Sequence, residues 1–173
     1  NADGTLSIID RKKNIFKLSQ GEYVAAEKIE MAVSKSPLVG QVWVYGNSQE
    51  TCLVCVVVPD FDALRSRGGF DADGDTEALC RIEAVRKLML SEVTAEATEA
   101  RLRPFEVPKA VHVEGRVNAL GQGFTVENDT MTPTFKLRRP QLLKRYAAQV
   151  DAMYESLRPP PDAGAGFMSP GLR

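Results

Sequence analysis

The sequence predicts an α+β fold: a small mixed or antiparallel sheet flanked by helices, with an N-terminal β-hairpin. Three observations carry that prediction. Short runs rich in Val, Ile and Leu at 38–46, 52–58 and 109–114 read as strands. Longer stretches at 25–34, 76–100 and 139–156 place apolar residues at helical spacing. Gly- and Pro-rich punctuation separates the two kinds of segment, and no internal repeat is present.

In chain order, residues 4–10 (GTLSIID) and 13–18 (KNIFKL) form two short strands around a charged turn, the N-terminal hairpin. A helix follows Gly21, running from Ala25 to Ser34 with Ala26, Ile29 and Val33 inward, and Pro37 stops it. Strands 38–46 and 52–58 are joined by the polar turn Asn47-Ser48-Gln49-Glu50; their near-continuous apolar character implies burial on both faces. Pro59-Asp60 closes the second strand and opens a short helix at 60–66. A Gly- and Asp-rich loop then leads to the longest predicted helix, 76–100. Its stripe is Leu79, Ile82, Val85, Leu88 and Met89, and Pro104 and Pro108 end it. KAVHVE at 109–114 alternates as a third strand. A Gly-rich loop at 118–130 precedes a last helix at 139–156, and residues 157–173 read as a disordered tail.

The chain has 173 residues, about one domain's worth, of which 43% are hydrophobic and 26% charged. No apolar run approaches the ~20 residues of a membrane helix. The start, Asn-Ala-Asp-Gly, lacks Met and any basic-then-apolar leader pattern, as expected of a piece of a longer chain. The net charge of −1 averages unlike regions. Residues 11–17 carry four bases and no acid, 130–150 five bases and no acid, and 59–100 ten acids against five bases. Cys52 and Cys55 lie three apart within a strand, so they point to opposite faces and suit neither a disulfide nor a shared metal. Buried, inert thiols in a reducing intracellular compartment are the expectation.

Several motifs resolve to ordinary roles. Asp71-Ala-Asp-Gly-Asp begins like a calcium loop, but Thr76 and Ile82 stand where Gly and Glu are needed. Asn128-Asp-Thr130 is a sequon without a secretory context. His112, the only histidine, fits a surface or half-buried strand position better than a catalytic base. Neither GxxxxGK[ST] nor GxGxxG occurs, so the chain carries no phosphate cradle of its own. Lys12, Lys13 and Phe16 suggest a nucleic-acid or anionic-membrane surface. A pI near 6.0 and 7% aromatics weigh against nucleic acid and leave this reading as an alternative.

Two segments are too particular for a generic domain: DGTLSIIDRKKNIFKLSQGEYVAAEKIE at 3–30 and TPTFKLRRPQLLKRY at 132–146, the latter preceded by FTVEN. Read on their own, they place a pivot-like charged turn at Asp10–Lys13. They also place one ammonium, Lys136, on a short loop pinned by Pro133, suited to a phosphate or carboxylate oxygen. Arg138 and Arg139 could assist that approach; as a basic helix start they oppose the macrodipole, a mild sign that the charge has a use. Together the segments resemble the C-terminal domain of long-chain acyl-CoA synthetases, in the adenylate-forming enzyme superfamily, over about residues 3–156. VVVPDFDAL and RPFEVPKAVHV keep the same order between them.

The resemblance implies a fragment, inactive alone, of a fatty-acid–CoA ligase. That enzyme joins fatty acid and ATP into an acyl-adenylate with loss of pyrophosphate, then passes the acyl group to coenzyme A. It implies a lid at 19–156 that rotates about a hinge-and-hairpin segment at 1–18, against a large N-terminal domain of the same chain that supplies most of the ATP, Mg²⁺ and fatty-acid contacts. On this sequence it assigns Lys136 to catalysis and ATP/AMP binding, Lys13 to the hinge and Arg11 to the nucleotide. It assigns Lys17, Ser19, Gln20, Gly21, Glu22 and Tyr23 to the loop for thioester formation. It names no metal ligand in this chain and expects no nucleic acid. Membrane association, at the endoplasmic reticulum or another organelle, would come from upstream segments, with a cytoplasmic location the alternative. Two positions depart from the pattern: Ala26 stands where Pro is usual, and Asn128-Asp-Thr-Met where Asn-Gly-Leu-Leu is commoner. A lid of another adenylate-forming ligase is the nearest alternative.

Overall fold

The structure is a computed structural model that describes residues 15–67, 70 and 74–159. Arg11, Lys13, the strand expected at 4–10, Asp71 and Asp73 of the calcium-like loop, and the tail from residue 160 lie outside the described residues.

The first described elements are β1 (Ile15–Lys17) and β2 (Tyr23–Ala25), antiparallel with Phe16 opposite Val24. Tyr23–Ala25 is therefore a strand, where the sequence suggested loop and helix start. α1 (Ala26–Val33) begins immediately after it, with Ala26, Ile29 and Val33 all buried. Ala25 contributes no side-chain cap, so tertiary packing holds this helix start.

A second sheet contains β3 (Val39–Tyr45), β4 (Val54–Pro59) and β5 (Ala110–Val113) in the order β3-β4-β5. β3 and β4 are antiparallel, β4 and β5 parallel, so the sheet is mixed. Every residue of central β4 is buried, as its unbroken apolar run requires. Trp43, Val56 and His112 are cross-strand neighbours, and the Trp43 and His112 rings both face Tyr146 of the last helix, 6.2 and 6.0 Å between centroids. The alternate row, including Val44, Cys55 and Val111, is equally buried, and α1 packs on β3.

α2 (Phe61–Ser66) starts on Asp60, whose carboxylate accepts the Ala63 N–H at 2.9 Å. The stretch expected as one helix at 76–100 is two: α3 (Thr76–Arg81) and α4 (Glu83–Glu99). Ile82 between them is extended (ψ 124°) and 37% exposed, so it leaves the predicted stripe. Tertiary anchoring explains the break. The Thr76 hydroxyl donates to the Gly115 carbonyl at 2.7 Å, tethering α3 to the end of β5. α4 instead follows α1 and β5, burying Val85, Met89, Val93 and Ala97. It ends at Glu99, ahead of the prolines, where Arg101 turns the chain at φ 54°. α5 (Arg139–Leu157) spans 19 residues with a kink at Tyr146 (φ −108°, ψ 17°) and packs on β4 and β5, so the 17-residue α4 is the longest unbroken helix among the described residues.

Candidate functional site

Lys136 sits near the tip of a narrow strap closed on itself. Met131 and Leu137 form an antiparallel bridge, the Thr132 N–H donates to the Lys136 carbonyl at 2.9 Å, and the Lys136 N–H donates to Thr132 Oγ1 at 3.1 Å. Pro133, Thr134 and Phe135 make the turn. Phe135 adopts φ 56° and is 74% exposed, an unfavourable conformation for a bulky residue that the surrounding ladder imposes. The Lys136 side chain is exposed, and its ammonium has no ion-pair partner among the described residues.

The strap stands on a rigid polar base. Gln41 of β3 accepts the N–H groups of Gly123 and Phe124 at 2.9 and 2.8 Å and donates to the Phe124 carbonyl at 2.8 Å. Asn128 donates to the Gly123 carbonyl at 2.7 Å, while its oxygen accepts from the Thr125 N–H and the Thr130 hydroxyl at 3.1 and 2.5 Å. The sequon asparagine is thus an internal brace. Asp129, where the resemblance expects Gly, takes φ 63°, a left-handed conformation that Asp tolerates, and its carboxylate accepts from Arg138.

The other predicted residues that are described lie in the turn between β1 and β2, with Lys17 and Tyr23 on the strands flanking it. Leu18 and Glu22 close it (N–H to carbonyl, 2.8 Å), and Gly21 supplies φ 93°. The turn docks on the β3–β4 connection: Ser19 N–H donates to the Glu50 carbonyl at 3.0 Å and Gln20 Nε2 to the Thr51 carbonyl at 2.9 Å. Lys17 lies over the Tyr23 ring, 5.7 Å from its centroid, and Tyr23 is 66% exposed. Among the described residues, no hydrogen bond or ion pair joins this turn to the Lys136 strap.

Sequence reasoning missed the link behind them. Glu30 of α1 is buried yet charged in character, and Arg139, the first residue of α5, clamps it with two bonds, Nη1 to Oε1 at 2.9 Å and Nη2 to Oε2 at 2.7 Å. Glu30 Oε1 also accepts the Val44 N–H at 2.9 Å. The pair therefore covers backbone on the edge of β3 away from β4. Burial pushes the Glu30 carboxyl above its ordinary range, while Arg139 and the Val44 N–H oppose the rise. Arg139 is thus engaged inward, and the expectation that it joins Lys136 in meeting an anion is corrected. The signal was legible: Glu30 lies four residues after Ala26 and three before Val33, on the helix's apolar stripe.

Remaining candidates behave as ordinary structure. His112 is half-buried in β5, and burial lowers its pKa. Cys52, Cys55 and Cys80 are free thiols; burial pushes Cys55 and Cys80 up to about 12. Among the described residues, no group of three His, Cys, Asp or Glu side chains could hold a metal ion. No described helix is long and apolar enough to cross a membrane.

Comparison with known proteins bears on the family and the fold. No protein-family model matches the sequence. The chain is 47% identical over 158 residues to long chain acyl-CoA synthetase 2 of Arabidopsis thaliana, covering 90% of this chain and 23% of that protein. It is 40% identical over 159 residues to long-chain-fatty-acid–CoA ligase 1 of Homo sapiens, covering 90% and 22%. Among solved structures, the A domain of carboxylic acid reductase from Segniliparus rugosus, in complex with AMP and a co-purified carboxylic acid, superposes with a TM-score of 0.71 at 37% identity. That match covers 87% of this chain and 21% of the reductase chain. The chain spans less than a quarter of the length of the relatives it matches. Over nine-tenths of its length it is similar to one segment of the long-chain acyl-CoA synthetases, and its fold is that of the C-terminal domain of adenylate-forming enzymes.

Proposed function

We propose that this chain is the lid of a long-chain fatty-acid–CoA ligase, residues 19–156 moving about a hinge within 1–18 against an N-terminal domain. The whole enzyme would form an acyl-adenylate from ATP and a fatty acid and transfer the acyl group to coenzyme A. One observation carries the reading: an exposed lysine, free of ion pairs among the described residues, at the tip of a strap held by a ladder of backbone and threonine bonds. A lysine whose backbone is held in this way carries its ammonium to a defined place, where it could meet negative charge developing on a carboxylate or phosphate oxygen. Lys136 would stabilise that charge during adenylation and move no proton. Arg11 would meet the nucleotide and Lys13 would be the pivot. The turn Ser19–Tyr23 with Lys17 would face the pantetheine arm in the second pose, where Gly21 leaves room for close backbone approach.

The test is Lys136→Ala in the full-length enzyme, with the two half-reactions assayed separately. Adenylation should fall by about 10²–10³, the scale for losing one electrostatic stabiliser. Thioester formation from supplied acyl-adenylate should survive far better. Equal loss of both would overturn the role given to Lys136. A substrate panel on the same enzyme tests the acyl specificity, and cell fractionation tests whether it is membrane-associated.

A further inference from the structure

The two halves of the proposed site, the Lys136 strap and the Ser19–Tyr23 turn, are far apart in sequence and share no direct bond among the described residues. They are nevertheless joined through one pair of side chains. The strap runs directly into α5: the Arg138 N–H donates to the Thr130 carbonyl at 2.8 Å, and Arg139 is the next residue. The turn runs through β2 directly into α1, which carries Glu30. We propose that the Glu30–Arg139 clamp is a positioning device for Lys136, fixing the strap in register with α1 and the edge of β3 so that the lysine arrives at the adenylate in one orientation.

The geometry favours positioning over simple cohesion. A buried ion pair contributes little net stability compared with apolar residues of similar volume, so its value lies more naturally in specifying an arrangement. This one is bidentate, with side-chain exposures of 17% for Arg139 and 10% for Glu30. It is also locked to the main chain by the Val44 N–H at 2.9 Å. Rotation of the start of α5 about its own axis, or sliding along β3, would break both Arg139–Glu30 bonds together, and with them the Arg139 contact to the Val44 carbonyl. Lys136 lies only three residues before Arg139, on a strap whose two sides are bonded to each other. An error at the clamp therefore passes to the backbone that carries Lys136 with little slack.

This inference rests on the reading of Lys136 given above, and the experiment separates the two. In the full-length enzyme, R139K keeps a cation but cannot make the two-pronged bond, and E30Q keeps the shape and an acceptor for Val44. R139K should lower kcat for adenylation about tenfold or more, since small misplacements of a reacting group are costly. KM for ATP, and thioester formation from supplied acyl-adenylate, should change by less than about threefold. In a K136A background, R139K should cost adenylation nothing further, because there is no ammonium left to misplace. E30Q should show the same pattern, and it carries the test if R139K does not fold by circular-dichroism melting. If K136A spares adenylation, the Lys136 reading falls and this inference with it. If K136A cripples adenylation while R139K leaves it intact, depresses both half-reactions alike, or adds its full loss to that of K136A, the clamp only supports the fold and the proposal is overturned.

Discussion

Arg139→Met isolates the energetics of the clamp in the chain itself. The substitution keeps an unbranched apolar stem but leaves Glu30, whose side chain is 10% exposed, with the Val44 N–H as its remaining partner. Breaking one side of a buried pair typically costs ~3–5 kcal/mol. Glu30 has an escape, because it can fold protonated. From its ordinary value of 4.5, protonation at pH 7 costs at most about 3.4 kcal/mol, at 1.36 kcal/mol per pH unit, which caps the loss. At pH 5.5 the same escape costs only about 1.4 kcal/mol. The sign follows from linkage. Burial already raises the carboxyl in the folded chain, and removing Arg139 takes away a cause that lowers it, so the variant's folded state holds its proton to higher pH. A raised folded pKa gives stability that is present at low pH and lost as pH rises through it. The gap between wild type and variant should therefore widen between pH 5.5 and 7, by at most about 2 kcal/mol. Urea unfolding at the two pH values, read by circular dichroism, measures it. A gap that stays constant, or narrows with rising pH, would refute the account of Glu30 as a buried carboxylate held charged by Arg139.

Two further outcomes follow from packing and burial. A Cβ at Gly115 would lie 2.5 Å from the Thr76 carbonyl oxygen and 2.6 Å from Glu77 Cα, so Gly115→Ala must push α3 off the end of β5; a loss of about 1–3 kcal/mol in the same urea assay is expected. Thiol labelling at pH 8 should modify half-buried Cys52 first, while Cys55 and Cys80, pushed up to about 12, should react only on unfolding.

Strands β3, β4 and β5 were legible because their apolar runs are short, β-branched and bounded by turn residues, and the structure places them within a residue or two of expectation. The short helix after Pro59-Asp60 was equally plain, and the structure starts it one residue later, at Phe61, with Asp60 as its cap. What failed was set by contacts distant in sequence. Nothing local announces that Ile82 breaks the 76–100 helix, because the cause is a hydroxyl bond from Thr76 to Gly115 across 39 residues. Tyr23–Ala25 reads as a helix approach until Ile15–Lys17 pairs with it. At the site, Lys136 was found by its pattern, whereas Gln41 was not, since a lone polar residue in a strand looks solvent-facing. Its three bonds to residues 123 and 124 appear only when the loop folds back.

The basic start of α5 presents the sharpest contrast between local and global reasoning. Read locally, Lys136, Arg138 and Arg139 are three like charges crowding the positive end of a helix dipole, and all three seem to need an external anion. The fold separates them. Arg138 meets Asp129 on the surface, and Arg139 turns inward onto Glu30, so both like charges are neutralised within the chain. Lys136 alone, one turn ahead of the helix and outside its hydrogen bonding, has no acid among the described residues. The dipole argument thus singles out one group in place of three. An approaching anion would meet a lone ammonium whose two neighbouring guanidinium groups are already committed. Such an arrangement would favour a selective contact with a point charge over a broad basic patch that binds any polyanion.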